Sequence, residues 1–269
     1  MPAPRLRPGM PQLSLVMPAY NEEAIVGVTV RRLTAAFQRA GYTLELIVVD
    51  NGSRDATGEI ARELAAKNGR IRLHRVEVNQ GYGNGILAGL PLCTAPWVGV
   101  IPADGQIDAE DVVRLYEAAT SSNGRVLAKV RRRFRMDGFS RKLVSIAYNM
   151  MVRVFWPRLE TLDVNGLPKI LPRDVVESMQ LESRGWLLDP EIMIKAHYMG
   201  LRVLELNAFA RMRNAGTSHV SAPVCWEFFR WLVAVRFSRR ARSWRAEVRR
   251  PRGAPGAPEQ PAAVTAAAR

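Results

Sequence analysis

The chain has 269 residues, 48% of them hydrophobic, a formal net charge of +14 and a pI of about 10.7. That length and apolar content can bury a sizeable core, which excludes wholesale disorder, and the charge points to an anionic partner: nucleic acid, an anionic membrane surface or a phosphorylated small molecule. The two cysteines, Cys93 and Cys225, have no metal-ligand spacing, so neither a zinc site nor a disulfide framework is indicated, and a reducing cytoplasm is the simplest setting.

Residues 1–12 alternate Pro, Arg and Gly without an apolar core and do not read as a secretory signal. No run reaches the roughly 18 apolar residues that span a bilayer. Leu13 to Met17, closed by Pro18, predicts a first strand. A helix follows with Ile25, Val28, Leu33 and Phe37 at helical spacing, Asn21 as its cap candidate and Gly41 as its stop. Leu44 to Val49 predicts a second strand ending in the turn signal Asp50-Asn51-Gly52-Ser53. A helix from Ala56 to about Ala66 then leads to a third strand near Ile71 to Val76. This alternation predicts a parallel sheet flanked by helices.

Asn79-Gln80-Gly81-Tyr82-Gly83-Asn84-Gly85 opens a helix from Ile86 to Leu92. Its glycines allow close backbone approach to a phosphate, though they match no dinucleotide fingerprint and equally serve as a loop and helix entry. Trp97 to Ile101 predicts a buried strand that ends in Pro102-Ala103-Asp104-Gly105-Gln106, with a helix from Asp108 to about Thr120. A carboxylate at a strand's C-terminal tip sits where open α/β sheets bind ligands, and it suits a hard cation whose other ligands are phosphate oxygens. The same residues also suit a plain turn and helix cap.

Beyond a strand at Val126 to Val130 comes a basic run including Arg131, Arg132, Arg133 and Arg135, then an amphipathic helix from Leu143 to Phe155. Asp163 to Lys169 reads as a loop. A helix near Pro190 to Met199 carries Asp189 and Glu191 at its start, where the helix dipole favours acids. Leu201 to Leu206 predicts another strand and Arg211 to Ser218 a basic loop. From Val224 the chain is almost continuously apolar and aromatic to Phe237, and Trp226 to Arg250 holds eight Arg against two Glu. That composition fits a helix lying in a membrane interface, or one packed on the domain with its arginines solvated. The expected organisation is a flexible segment over 1–11, a main domain over 12–221, an amphipathic basic helix over 222–250 and a disordered Pro/Ala/Gly tail over 251–269.

Three motifs stand together at strand ends: Met17-Pro18-Ala19-Tyr20-Asn21-Glu22-Glu23, Val48-Val49-Asp50-Asn51-Gly52-Ser53 and Ala103-Asp104-Gly105-Gln106. In this order they resemble the family 2 glycosyltransferases with the GT-A fold, a Rossmann-like, mostly parallel α/β sheet flanked by helices. Among these they are similar to the dolichol- and polyprenyl-phosphate sugar transferases. The resemblance extends from about Leu13 to Ser218. It implies a donor site for a GDP- or UDP-sugar formed by Pro18, Tyr20, Glu22, Asp50, Gly52, Gly81 and Asp104. It implies Mg²⁺ or Mn²⁺ held by Asp104 and Gln106, with Pro102 where the family pattern has another acid. It further implies an acceptor-phosphate site at Arg131, Arg133, Arg141 and Ser145. Catalytic roles fall to Asp104, Arg141 and Arg213, the last within Arg213-Asn214-Ala215-Gly216-Thr217-Ser218. Glu191 is, with Asp189, a candidate base. Asp163 and Lys169 keep the spacing of another family motif, whose centre is replaced here by Gly166-Leu167-Pro168.

The implied reaction is inverting transfer of a sugar to a polyprenyl or dolichyl phosphate, on the cytoplasmic side, with peripheral membrane contact through residues 224–250. Transfer to a hydroxyl of a soluble metabolite or glycan uses the same donor residues, as does binding of a sugar nucleotide without turnover. Nucleic-acid binding accounts for the charge but not for the ordered strand-end carboxylates, and the aromatics cluster in one block rather than interleaving with basic residues.

Overall fold

Seven consecutive buried residues make Leu13–Ala19 the strand β1 at the centre of the domain. A strand covered on both faces needs apolar residues at nearly every position, not at alternate ones. The computed structural model describes residues 9–122, 125–133, 150–159, 161, 163–209 and 222–248. β2 (Leu44–Asp50), β3 (Ile71–Arg75), β4 (Trp97–Val100), β5 (Val126–Arg133), β6 (Lys169–Pro172) and β7 (Arg202–Phe209) complete a seven-stranded sheet. Its order is β3-β2-β1-β4-β6-β5-β7. β6 runs antiparallel to both neighbours and the remaining pairings are parallel.

The helices are α1 (Val26–Arg39), α2 (Thr57–Lys67), α3 (Tyr82–Gly89), α4 (Ala109–Thr120), α5 (Arg173–Met179), α6 (Leu188–Tyr198), α7 (Ala222–Phe237) and α8 (Arg239–Val248), with a helical stretch over 150–155. Residues of α1, α2 and α4 share one apolar cluster with Leu46 and Val48 of β2. The opposite face of β2, Ile47 and Val49, packs with Ala88 of α3. Because side chains alternate along a strand, Asp50 follows Leu46 and Val48 onto the α1/α2 face. Residues of α5, α6 and α7 pack on the other side of the sheet, where Val175, Ile192 and Leu232 are all buried in one cluster.

A buried carboxylate ties the strands at the end opposite the motif loops. Ser14 Oγ donates to Glu45 Oε2 at 2.5 Å, and the Thr94 N–H and hydroxyl donate to the same oxygen at 2.9 and 3.0 Å. β1 lies between β2 and β4, so the chain leaves it in one direction toward β2 and β3 and returns on its other side as β4. The crevice beyond the C-terminal ends of β1 and β4 is therefore the topological switch point where open α/β sheets take ligands.

The GT-A expectation of a mostly parallel sheet flanked by helices holds, while four local expectations differ. Asn21 does not cap α1, which starts at Val26; its backbone is left-handed at φ 53°. β6 and α5 occupy residues that read as loop or carried no assignment, and α3 begins at Tyr82 rather than Ile86. The segment 222–250 is not one helix within its described part: Ser238 separates α7 from α8. Arg245 of α8 folds back and donates to the carbonyls of Val235 and Arg236 at 3.5 and 3.0 Å, oxygens that the end of α7 leaves without helical partners. Its guanidinium also sits over the Tyr198 ring, 4.8 Å from the centroid.

Candidate active site

The loops after β1 and β2 are zipped together by their own polar residues. Asn21 donates its N–H to Ser53 Oγ at 3.1 Å, and its Oδ1 accepts the Arg54 N–H at 2.9 Å. The Glu22 N–H donates to Thr57 Oγ1 at 2.8 Å. Glu23 Oε2 accepts the Ala56 N–H at 2.9 Å, while the Glu23 N–H donates to Asp55 Oδ2 at 3.1 Å. The side chains of Asn21, Glu23, Ser53, Asp55 and Thr57 thus each accept a backbone N–H of the opposite loop, so that Glu23 holds the entry to α2 instead of capping α1. Tyr20 is left exposed at the rim, and Pro18 is buried on the α3 face, where a Cβ on Gly85 would stand 3.2 Å from its ring.

Asp50 is 1% exposed. Its Oδ1 accepts the Ser53 N–H at 2.9 Å, and Arg75 Nε is 3.9 Å from Oδ2. Among the described residues Oδ2 has no hydrogen-bond partner. A buried carboxylate oxygen with unused acceptor capacity is costly unless a ligand donor completes it. Asn51 Nδ2 donates to Asn79 Oδ1 at 3.1 Å and to the Gly81 carbonyl at 3.0 Å, and the Gly81 N–H donates to Asn79 Oδ1 at 2.8 Å. Asn51 and Asn79 therefore bind the β2 tip to the loop that opens α3, although neither was singled out from the sequence. Gly52 and Gly81 both have positive φ, at 76° and 102°, and a Cβ on Gly52 would stand 2.9 Å from the Asn79 nitrogen. Two of the implied donor-site residues are thus glycine for backbone reasons.

Asp104 follows β4, on the far side of β1 from Asp50. The Ala103 carbonyl accepts from Thr29 Oγ1 of α1 at 3.0 Å, and Asp104 Oδ1 accepts the Gln106 N–H at 3.2 Å. Asp104 and Gln106 are each half-buried. Among the described residues no group of three or more His, Cys, Asp or Glu side chains gathers as a metal site would. One carboxylate and one amide fit a Mg²⁺ or Mn²⁺ ion only where a bound diphosphate supplies several of its oxygens.

Beyond β4 the sheet carries buried charge. Lys129 and Lys169 face each other in the β5–β6 register and are both fully buried. Lys169 pairs with Asp189, and Lys129 with Glu205 at 3.1 Å. Burial, and the second ammonium beside it, push Lys129 down from 10.5 to about 8. Glu191 is 6% exposed; its carboxylate accepts the Glu182 N–H at 3.2 Å and the Ser183 N–H at 2.8 Å and pairs with Lys195 at 2.7 Å. Both acids in the first turn of α6 are thus engaged inside the domain. Arg131 is half-buried at the end of β5; of Arg133 only the backbone is described, and Arg141, Ser145 and Arg213 lie outside the described residues.

Comparison with known proteins gives the family of the chain. The profile of glycosyl transferase family 2 matches residues 14–187. The chain belongs to that family. This family 2 member is 31% identical over 212 residues to an undecaprenyl-phosphate 4-deoxy-4-formamido-L-arabinose transferase of Pectobacterium atrosepticum, covering 78% of this chain and 62% of that one. It is 28% identical over 247 residues to a dolichol-phosphate mannosyltransferase of Pyrococcus furiosus, covering 89% of this chain and 66% of that one. The family 2 chain thus spans somewhat under two thirds of the length of the first of these relatives. Among solved structures it resembles glucosyl-3-phosphoglycerate synthase of Mycobacterium tuberculosis in complex with Mn²⁺, uridine diphosphate and phosphoglyceric acid. That match has a TM-score of 0.64 at 21% identity, over 83% of this chain and 76% of that one, and the shared architecture is the GT-A glycosyltransferase fold.

Proposed function

We propose that this family 2 member transfers a sugar, with inversion at its anomeric carbon, from a UDP- or GDP-sugar to a polyprenyl phosphate. The observation that carries the reading is the pair of strand-tip carboxylates on either side of β1: Asp50, with a buried oxygen lacking a hydrogen-bond partner among the described residues, and Asp104 at the end of β4. A base with paired N–H donors at Asp50 and a diphosphate at Asp104 would span the crevice at the switch point. Pro18, Tyr20, Glu22, Gly52 and Gly81 would line that path. Asp104 and Gln106 would hold Mg²⁺ or Mn²⁺, which supplies charge neutralisation to the departing diphosphate.

In this reading an acceptor phosphate oxygen attacks the anomeric carbon as the bond to the β-phosphate oxygen breaks. A phosphate monoester has a second pKa of about 6 and reacts as a dianion at neutral pH, so it needs orientation and not deprotonation. The engagement of Asp189 by Lys169 and of Glu191 by Lys195 and two backbone N–H groups supports an acceptor of this kind, since a hydroxyl would need a base. In the same reading Glu191 holds loop 182–183 in place and is not the base. Arg131, Arg133, Arg141 and Ser145 would receive the acceptor phosphate, and Arg213 would stabilise the departing nucleotide. The acceptor types in the names of the two relatives support the same substrate class.

No helix among the described residues is long and apolar enough to cross a membrane. An exposed apolar surface runs from Met150 and Val154 to Trp226 and Phe229 of α7, with the rings of Phe155 and Phe229 6.4 Å apart. Exposed Arg153 and Arg230 adjoin it. We read this surface, which joins Met150 and Val154 to the proposed membrane segment 224–250, as a peripheral contact with the cytoplasmic face of an anionic bilayer.

The test is one panel: labelled UDP- and GDP-sugars, with polyprenyl phosphate, a soluble hydroxyl acceptor or neither, in Mg²⁺, Mn²⁺ or chelator. Metal-dependent label in the lipid fraction is the expected result. Transfer to the hydroxyl alone would overturn the acceptor, and nucleotide binding without transfer to anything would make the chain a sugar-nucleotide binder.

A further inference from the structure

Trp186 is 62% exposed, yet it sits on a segment anchored from several sides. Its ring stacks on Tyr82 with centroids 5.2 Å apart and planes 12° from parallel. The Arg184 carbonyl accepts the Asn84 N–H at 2.6 Å, and the Arg184 guanidinium reaches Gln80 Oε1 at 3.4 Å. From the other side, Glu191 accepts the N–H groups of Glu182 and Ser183. The contact with α3 is so close that a Cβ on Gly81 would stand 2.9 Å from the Arg184 carbonyl, and one on Gly83 2.7 Å from that of Gly185. An indole held this way loses little further freedom when a ligand lies on its open face.

We propose that Trp186, backed by Tyr82, is the wall against which the donor's pyranose ring lies. The inference rests on the donor-site reading above. Tyr82 is the first residue of α3, one residue from Gly81, whose carbonyl is held by Asn51 beside Asp50. Gly85, one turn on, packs against Pro18 and Asn51. The aromatic pair therefore borders the donor crevice on the α3 face of the sheet. Asp50 points to the other face: a Cβ on Gly58 of α2 would stand 2.6 Å from its Oδ2. A base held by Asp50 lies on the α2 side of the crevice, which leaves the sugar end for the α3 side. A pyranose ring presents a face of C–H groups, the surface that packs on an indole, while its hydroxyls reach polar groups around the rim.

The experiment is calorimetric binding of UDP, UDP-glucose, GDP and GDP-mannose, in Mn²⁺, to the full chain and to Trp186→Ala, Trp186→Tyr and Tyr82→Leu. For the nucleotide that binds, Trp186→Ala is expected to weaken the sugar form about tenfold and leave the bare diphosphate within about twofold of wild type. Trp186→Tyr should recover most of the loss, and Tyr82→Leu, which removes the backing ring with its buried hydroxyl, should show part of it. Equal weakening of both forms would assign Trp186 to the nucleotide and overturn the proposal. Unchanged binding of both forms would overturn it too, whether or not the KM for polyprenyl phosphate rose. If the wild-type chain bound none of the four, the donor-site reading would itself have failed, and the wild-type data alone reveal that case.

Discussion

Gly58 stands so close to Asp50 that a Cβ added to it would lie 2.6 Å from Oδ2 and 3.6 Å from a guanidinium nitrogen of Arg75. The first turn of α2 is therefore fitted to the carboxylate at the tip of β2. Gly58→Ala should force Asp50 or α2 to shift, costing about 1–3 kcal/mol as overpacking does. The ~1 kcal/mol that alanine gains over glycine within a helix offsets only part of this. Urea unfolding and nucleotide titration should both register the change, with stability and nucleotide affinity falling together. Unchanged affinity would separate Asp50 from the donor.

Asp104→Ala should lower the rate of sugar transfer by about 10²-fold or more, the scale on which removing one electrostatic stabiliser of a leaving group acts. Asp104 is half-buried at a loop, so thermal unfolding should move little. Initial rates at saturating donor in Mn²⁺ make the comparison. A variant that kept full metal-dependent activity would remove Asp104 from the centre of the site.

Glu191→Gln keeps one acceptor oxygen for the 182–183 backbone but loses the charge that pairs with Lys195. A stability loss of about 1–3 kcal/mol is expected from the weakened charge-assisted hydrogen bonds. Transfer to a polyprenyl phosphate should stay within about tenfold of wild type, because a dianionic acceptor needs no base. Loss of transfer with nucleotide binding intact would instead make Glu191 the base.

Lys129 gives up its proton near pH 8 in the folded chain and near 10.5 when unfolded. Below the lower value both states hold the proton. Between the two the unfolded chain binds more, so this group's contribution to stability rises with pH from about 8 to 10.5. The difference in unfolding free energy between wild type and Lys129→Met isolates it from other titrating groups. That difference should move in favour of wild type across the window; a flat or falling one would mean that the ammonium keeps its ordinary affinity for the proton.

Much of the sheet that carries the proposed donor site was legible because its signals are local. Leu13–Ala19, Leu44–Asp50 and Trp97–Val100 are short apolar runs that turn abruptly polar, so their ends and the residues at their tips could be read in order. β6 was not legible. Lys169 stands in it as a buried charge, tolerated only because Asp189, 20 residues later, meets it on α6. Asn21 shows the opposite failure: its type suits a helix cap, but its partners are Ser53 and Arg54 on another loop, and they hold it in a left-handed turn before α1 begins.

From local pattern alone, then, came the alternation of strands and helices and the carboxylates Asp50 and Asp104 at strand ends, because apolar runs and turn residues act on their immediate neighbours. Tertiary structure decided what lies beside those carboxylates. It placed Gly58 against Asp50, spent Glu191 on a backbone loop and set Trp186 over Tyr82. Each of those outcomes is a contact between segments far apart in the chain, and close packing, unlike periodicity, leaves no mark on either segment read by itself.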